Sequence, residues 1–182
     1  MKNKLFPFLS AIIFTLIFAT NIFSQSKLIN LDETRPRVAE SSETKVTETT
    51  FDLEKKAFAL INDIRRMNGL KDLVWSDEVA NIARKHSNSM ADNKFFSHRG
   101  LDGLMINQRA DAVGLTKWRL IGENIAYNRG YAKPIEFAVE CWMKSEGHRE
   151  NLLDARWKET GIGVAIASDG SYYFTQDFLL RK

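Results

Sequence analysis

The chain has 182 residues, of which 44% are hydrophobic and 27% charged, with 10 Gly, 3 Pro and one Cys. That length suits one globular domain plus appendages, and the ordinary composition excludes collagen, long coiled coils and wholesale disorder. A lone cysteine excludes a disulfide scaffold. The net charge of +3 gives no footprint for nucleic acid: of 26 basic residues, Lys2 and Lys4 belong to a leader, which leaves 24 against 23 acidic ones.

Residues 1–26 read as a signal peptide. Lys2 and Lys4 form a basic start, Leu5 to Phe18 is apolar apart from Pro7, Ser10 and Thr15, and Ser24-Gln25-Ser26 supplies small residues two apart, as cleavage requires. The competing reading is a retained anchor, since the apolar stretch reaches Phe23 with only Thr20 and Asn21 interrupting it. A comfortable span needs about 20 apolar residues, which favours cleavage and leaves no stable membrane span afterwards. Residues 27–50 mix charges with Ser and Thr and hold few large apolar groups, so they read as a flexible linker.

The folded region is expected over 51–182. Leu53, Ala57, Phe58, Leu60, Ile61 and Ile64 recur at helical spacing between a Thr49/Asp52 capping pair and a stop at Gly69. A second helix is expected from Ser76, with Val79, Ile82, Ala83, His86 and Met90 as its apolar stripe. A short helix is expected over 104–113, closed by Gly114, and another is opened by Pro134, with Ile135, Ala138, Val139 and Trp142 on one face. The period then changes to two. Residues 161–168 and 171–179 form a hairpin, with Asp169-Gly170 as a two-residue turn. Pairing Ser168 with Ser171 sets Gly163 opposite Gln176 and Ala165 opposite Phe174. One face would then carry Gly and Ala beside Tyr172, Phe174 and Phe178, and the other Ile162, Val164 and Ile166. Helices are expected on both faces. A third strand is needed, and residues 120–125 and 95–98 are the candidates.

Three polar segments break the periodicity, each beside a glycine at the edge of an element: Phe95-Phe96-Ser97-His98-Arg99-Gly100, Gly122-Glu123-Asn124-Ile125-Ala126 and Gly147-His148-Arg149-Glu150-Asn151. There is no HExxH, Gly-x-Ser-x-Gly, phosphate loop or paired CxxC. Together with CWMKSEGHRENLL at 141–153, TGIGVAIA at 160–167 and YFTQDF at 173–178, however, the segments SH at 97–98 and GENIA at 122–126 fall in a known order. From Phe51 onward the chain resembles the bacterial branch of the CAP superfamily, the SCP-like extracellular proteins that include cysteine-rich secretory and pathogenesis-related proteins.

The resemblance implies an α+β fold, a three-layer α-β-α sandwich, with a cleft where two histidines and acidic groups converge. His98 matches the first family histidine, Glu123 the acid of the GEN motif and His148 the second histidine. A further glutamate that full-set relatives carry three residues after the helical tryptophan is Ser145 here, with Glu146 beside it as the candidate substitute. Some relatives hold zinc or another divalent ion on the histidine pair, which here would be His98 and His148. Neutral imidazoles suit zinc, and Glu123 could ligate directly or orient an imidazole or a bound water. The plain alternative is a hydrogen-bonded cluster that holds loops together.

Elsewhere the structural reading prevails. His86 falls on an apolar stripe, Arg149 and Asn151 brace the loop around His148, and Gln176 and Asp177 point to opposite faces of one strand. Trp75, Trp118, Trp142 and Trp157 read as packing groups, and Cys141 as a buried thiol. Functionally, the resemblance implies a secreted, periplasmic or extracellular domain that binds a lipid, a cell-wall component or a protein without catalysis. The alternatives are a metal-dependent hydrolase with Glu123 as general base, and a structural domain.

Overall fold

The computed structural model describes residues 48–182. The signal-peptide reading and most of the linker lie outside the described residues. In chain order the elements are α1 (Thr50–Met67), β1 (Val74–Trp75), α2 (Asp77–Asn93), α3 (Ile106–Ala112), β2 (Trp118–Arg129), α4 (Pro134–Lys144), α5 (Glu146–Leu153), β3 (Glu159–Ile166) and β4 (Ser171–Arg181). The strands form one sheet in the order β1-β3-β4-β2, parallel only between β1 and β3.

The helices begin where their capping chemistry dictates. Thr49 Oγ1 accepts from the Asp52 amide while the Asp52 carboxylate accepts from the Thr49 amide, a reciprocal box that starts α1 one residue ahead of the expected position. Ser76 caps α2, and Pro134 stands in the first turn of α4. Of the two strand candidates, only residues 120–125 form one, extended to 118–129; residues 95–98 are a loop.

The hairpin differs from the expected pairing by one residue. Gly170, at φ 81°, donates to the Ala167 carbonyl, and the Ala167 amide donates to Ser171 O, so Ser168, Asp169 and Gly170 together form the connection. A three-residue loop with glycine in the left-handed region takes the place of the two-residue turn. Gly163 therefore faces Thr175, and Ala165 faces Tyr173. A one-residue slip moves every side chain of β4 to the other face. Tyr172, Phe174 and Phe178 accordingly join Ile162 and Val164 in the main core under α1, α4 and α5. The opposite face presents Gly161, Gly163 and Ala165 beside Tyr173, Thr175, Asp177 and Leu179.

That second face receives α2 at unusually short range. A Cβ on Gly161 would stand 2.0 Å from Ala80 N, and one on Gly163 2.2 Å from Arg84 N. The small residues serve the close approach the sequence suggested, but the aromatics fill the other side of the sheet. The α2 contact is polar as well as steric. Ser87 Oγ, fully buried, donates to Gly163 O at 2.9 Å and bonds Thr175 Oγ1 at 2.8 Å. Arg84 grips the buried carboxylate of Glu54 through Nε and Nη2. Ser87→Ala is expected to cost about 1–2 kcal/mol, because it strips a buried carbonyl and hydroxyl of their partner; urea unfolding measures it.

Cys141 corrects the reading of a buried thiol: it is exposed. The inward face of α4 is Ile135, Ala138, Val139 and Trp142, and position 141 lies off that stripe. Trp142 is in the core, with its indole Nε1–H donating to Ile125 O at 2.8 Å. Among the described residues no helix is long and apolar enough to cross a membrane.

Candidate binding cleft

Glu123 is set by the sheet. It faces Asp177 across the β2–β4 pair and, by the period of two, shares the α2 side of β2 with Ile125 and Tyr127. Its side chain is 2% exposed. His98, in the loop after α2, brings Nδ1 to 2.8 Å from Glu123 Oε1. Arg109 of α3 pairs through Nη2 with Glu123 Oε2 and donates through Nη1 to the carbonyls of His98 (2.9 Å) and Leu104 (3.1 Å). One arginine thus neutralises the carboxylate and ties down the backbone that carries the histidine.

His148, in α5, completes the group. Its ring centroid is 6.3 Å from that of His98 at a 43° tilt. Burial, and then the neighbouring His98, hold its pKa below the ordinary histidine value. Helix α5 is tied to β2 through amides: Asn124 Nδ2 donates to His148 O at 3.0 Å, and Asn151 Nδ2 to Asn124 Oδ1 at 3.0 Å and Glu123 O at 3.3 Å. Because β2 is an outer strand, Asn151 and Trp142 also occupy carbonyls that no neighbouring strand can use. Arg149 braces the preceding turn through Met143 O at 3.1 Å. Ser145 ends α4 and opens α5, and among the described residues its side chain makes no hydrogen bond to His98, Glu123 or His148. Glu146 is exposed in the first turn of α5.

Exposed aromatic side chains stand on the same loop and strand as His98 and Glu123. His98 is 42% exposed at its side chain. Phe96, 50% exposed, stands 6.2 Å from the ring of Tyr127, itself 45% exposed and 5.0 Å from Tyr173. Phe96 and His98 lie two residues apart on one loop, and Tyr127 and Glu123 four apart on one strand face.

Two partners of Glu123 escape a reading of the sequence. Arg109 sits in a short helix with nothing local to mark it. Asp177 had a signal, a carboxylate between aromatic and aliphatic residues of a strand, but only the register places it against Glu123. It is fully buried, and neither oxygen has a hydrogen-bond partner among the described residues. Burial, and then the Glu123 charge, raise its pKa well above the usual carboxylate range. The folded chain therefore keeps a proton that the unfolded chain sheds above about pH 4, and stability falls as pH rises through that window. Asp177→Asn abolishes this titration. Its stability relative to the wild type is expected to climb from about pH 4, by up to ~1.4 kcal/mol per pH unit while the wild-type group stays protonated. Urea melts at a series of pH values check this; a pH-independent difference would contradict it.

As a zinc site the group is incomplete. A catalytic zinc typically has three protein ligands and one open position. His98 and His148 would supply two, while the Glu123 oxygens bond His98 and Arg109, an arrangement that suits a carboxylate orienting an imidazole. Among the described residues no group of three His, Cys, Asp or Glu side chains could hold a metal ion.

A four-stranded sheet between α2–α3 and α1–α4–α5 defines an α-β-α sandwich whose loops bring distant polar residues to one sheet edge. Residues 58–178 match the family model described as CAP, the cysteine-rich secretory protein family, and the chain belongs to that family. It is 36% identical over 147 residues to the uncharacterized membrane protein YlbC of Bacillus subtilis, a match covering 81% of this chain and 39% of the relative. It also resembles the crystal structure of an extracellular protein containing an SCP domain from Bacillus anthracis, at TM-score 0.63 and 32% identity over 73% of this chain and 41% of that one. The chain thus spans less than half the length of the curated relatives it matches. The structure of NaASP2 with Zn2+ shares the fold at TM-score 0.50 and 16% identity, covering 70% of this chain and 79% of that one.

Proposed function

We propose that the chain is an exported recognition module that binds a partner of the cell envelope or the extracellular space at the β2 edge, without catalysis. The observation that carries this reading is that each carboxylate oxygen of Glu123 already has a protein partner. One oxygen pairs with the Arg109 guanidinium and the other meets His98 Nδ1, so the carboxylate is neutralised by a cation and holds its imidazole in place, which disfavours it as a general base. What the cleft presents outward is the half-exposed His98 ring and the Phe96–Tyr127 shelf. Flat aromatic faces beside polar ring nitrogens suit a ligand with apolar faces and hydroxyl edges, and among envelope components the sugar rings of a cell-wall glycan meet that description. The basic, apolar N-terminus and the extracellular and membrane proteins the chain resembles support placement outside the cytoplasm.

The test is co-sedimentation of residues 48–182 with isolated peptidoglycan sacculi, and separately with anionic phospholipid vesicles. Saturable binding to sacculi that falls at least tenfold in a Phe96→Ala/Tyr127→Ala variant is expected. Binding that survives the double substitution, or that goes to vesicles alone, overturns the glycan reading. Peptide hydrolysis that requires added zinc and disappears in Glu123→Gln would replace recognition with the hydrolase.

A further inference from the structure

A second concavity lies behind the cleft loop. A cavity of about 360 Å3 separates α2 from residues 100–113, and neither His98, Glu123 nor His148 lines it, so a ligand held there is independent of the recognition reading. Its walls are largely apolar, with Ile82, Leu104, Leu101 and Val113 among them, and Leu101 and Val113 are 66% and 46% exposed. Exposed apolar side chains at the rim of a recess gain burial when the recess is filled.

The charges on its walls cancel. Lys85 and Asp102 both line the cavity, and the charge of Arg109 is met by Glu123. A neutral occupant is therefore favoured over an anion or a cation. Two uncharged polar side chains remain on the wall, the half-buried Ser89 and, deeper, His86. His86 is 2% exposed and places Nε2 2.9 Å from Ser97 O. A carbonyl can only accept, so Nε2 carries the proton and Nδ1 keeps a lone pair. Nδ1 has no hydrogen-bond partner among the described residues. Burial, and then Arg109, lower the pKa of this ring, which favours its neutral form.

We infer that this cavity is a binding site for a small, neutral, largely apolar molecule bearing one hydroxyl or N–H donor, which the apolar walls enclose and His86 Nδ1 accepts. An analogue without the donor leaves that acceptor buried and dry, and such a loss discriminates more sharply than an added or missing methylene. The site also adjoins the cleft mechanically. His86 and Arg109 hold the carbonyls of Ser97 and His98, so an occupant touches the side chains that anchor the cleft loop.

The experiment compares 2-naphthol with 2-methoxynaphthalene, which share a ring system and differ in the donor. Fluorescence titration of residues 48–182 is expected to show saturable binding of both, with 2-naphthol at least tenfold tighter. His86→Phe, which keeps a buried ring and removes the acceptor, should abolish that preference, and Ala112→Phe at the wall should weaken both ligands. Should His86→Phe fail to fold, the 15N shift of His86 Nδ1 in the wild type gives the same answer: it moves with 2-naphthol and stays with the ether. Equal affinities in the wild type, no saturable binding, or an unmoved Nδ1 resonance each overturn the proposal.

Discussion

Arg109→Met is expected to destabilise the fold by about 3–5 kcal/mol, the usual cost of removing one partner from a buried ion pair. The arginine side chain is 10% exposed and that of Glu123 2%, so water cannot take over the lost contact. Asp177 sharpens the effect. With Arg109 gone, a second carboxyl directly across the strand pair has no cation beside it. The anchors on the His98 and Leu104 carbonyls disappear in the same step. Guanidinium unfolding of the wild type, of Arg109→Met and of Arg109→Met/Glu123→Leu separates these contributions. Replacing both charges with apolar groups of similar volume should recover much of the loss, since the penalty lies chiefly in an uncompensated buried charge. If the double variant is no more stable than the single one, the ion pair is not the source, and the anchoring of the loop is.

Gly163→Ala is expected to cost about 3 kcal/mol. The added methyl would meet Arg84 N at 2.2 Å, Ala83 C at 2.4 Å and Arg84 Cα at 2.5 Å. All three are backbone atoms of α2, so no rotamer change relieves them and the helix must move off the sheet. It cannot do so freely, because Ser87 bonds Gly163 O and Thr175, and Arg84 is clamped to Glu54. Gly147→Ala is the control. Its Cβ meets nothing within 4 Å and the residue lies inside α5, so that variant should be neutral or more stable by up to about 1 kcal/mol. Thermal melts of both variants should diverge in sign; similar losses for both would mean that the α2–sheet distance is not what constrains position 163.

The local pattern of the chain foretold much of this architecture. Periodicity and caps marked α1, α2 and α4 because helical spacing and capping are properties of neighbouring residues. The same pattern missed α5, a short polar helix of low amphipathicity, and the two-residue β1. The order of the GENIA, EGHRENLL and YFTQDF segments carried the family, which the match over residues 58–178 shows. Of the proposed site residues, the structure sets His98 on Glu123 and His148 beside His98, and leaves Ser145 without a bond to any of them.

What sequence alone determined is whatever depends on contacts a few residues apart: helix positions, the turn at Gly170, the small residues that admit α2, and the family signature. Tertiary structure decided the rest. The choice between a two-residue and a three-residue turn changes local energy little, yet it put Phe174 and Phe178 in one core with Ile162 and Val164, while the separate β2–β4 register set Asp177 against Glu123. Arg109 had no local mark because its partners are 14 residues away in β2 and 11 away in the loop. The exposure of Cys141 followed from which face of α4 the sheet covered. Long-range pairing assigns such roles, because a charge or a thiol acquires its chemistry from neighbours that only the folded chain supplies.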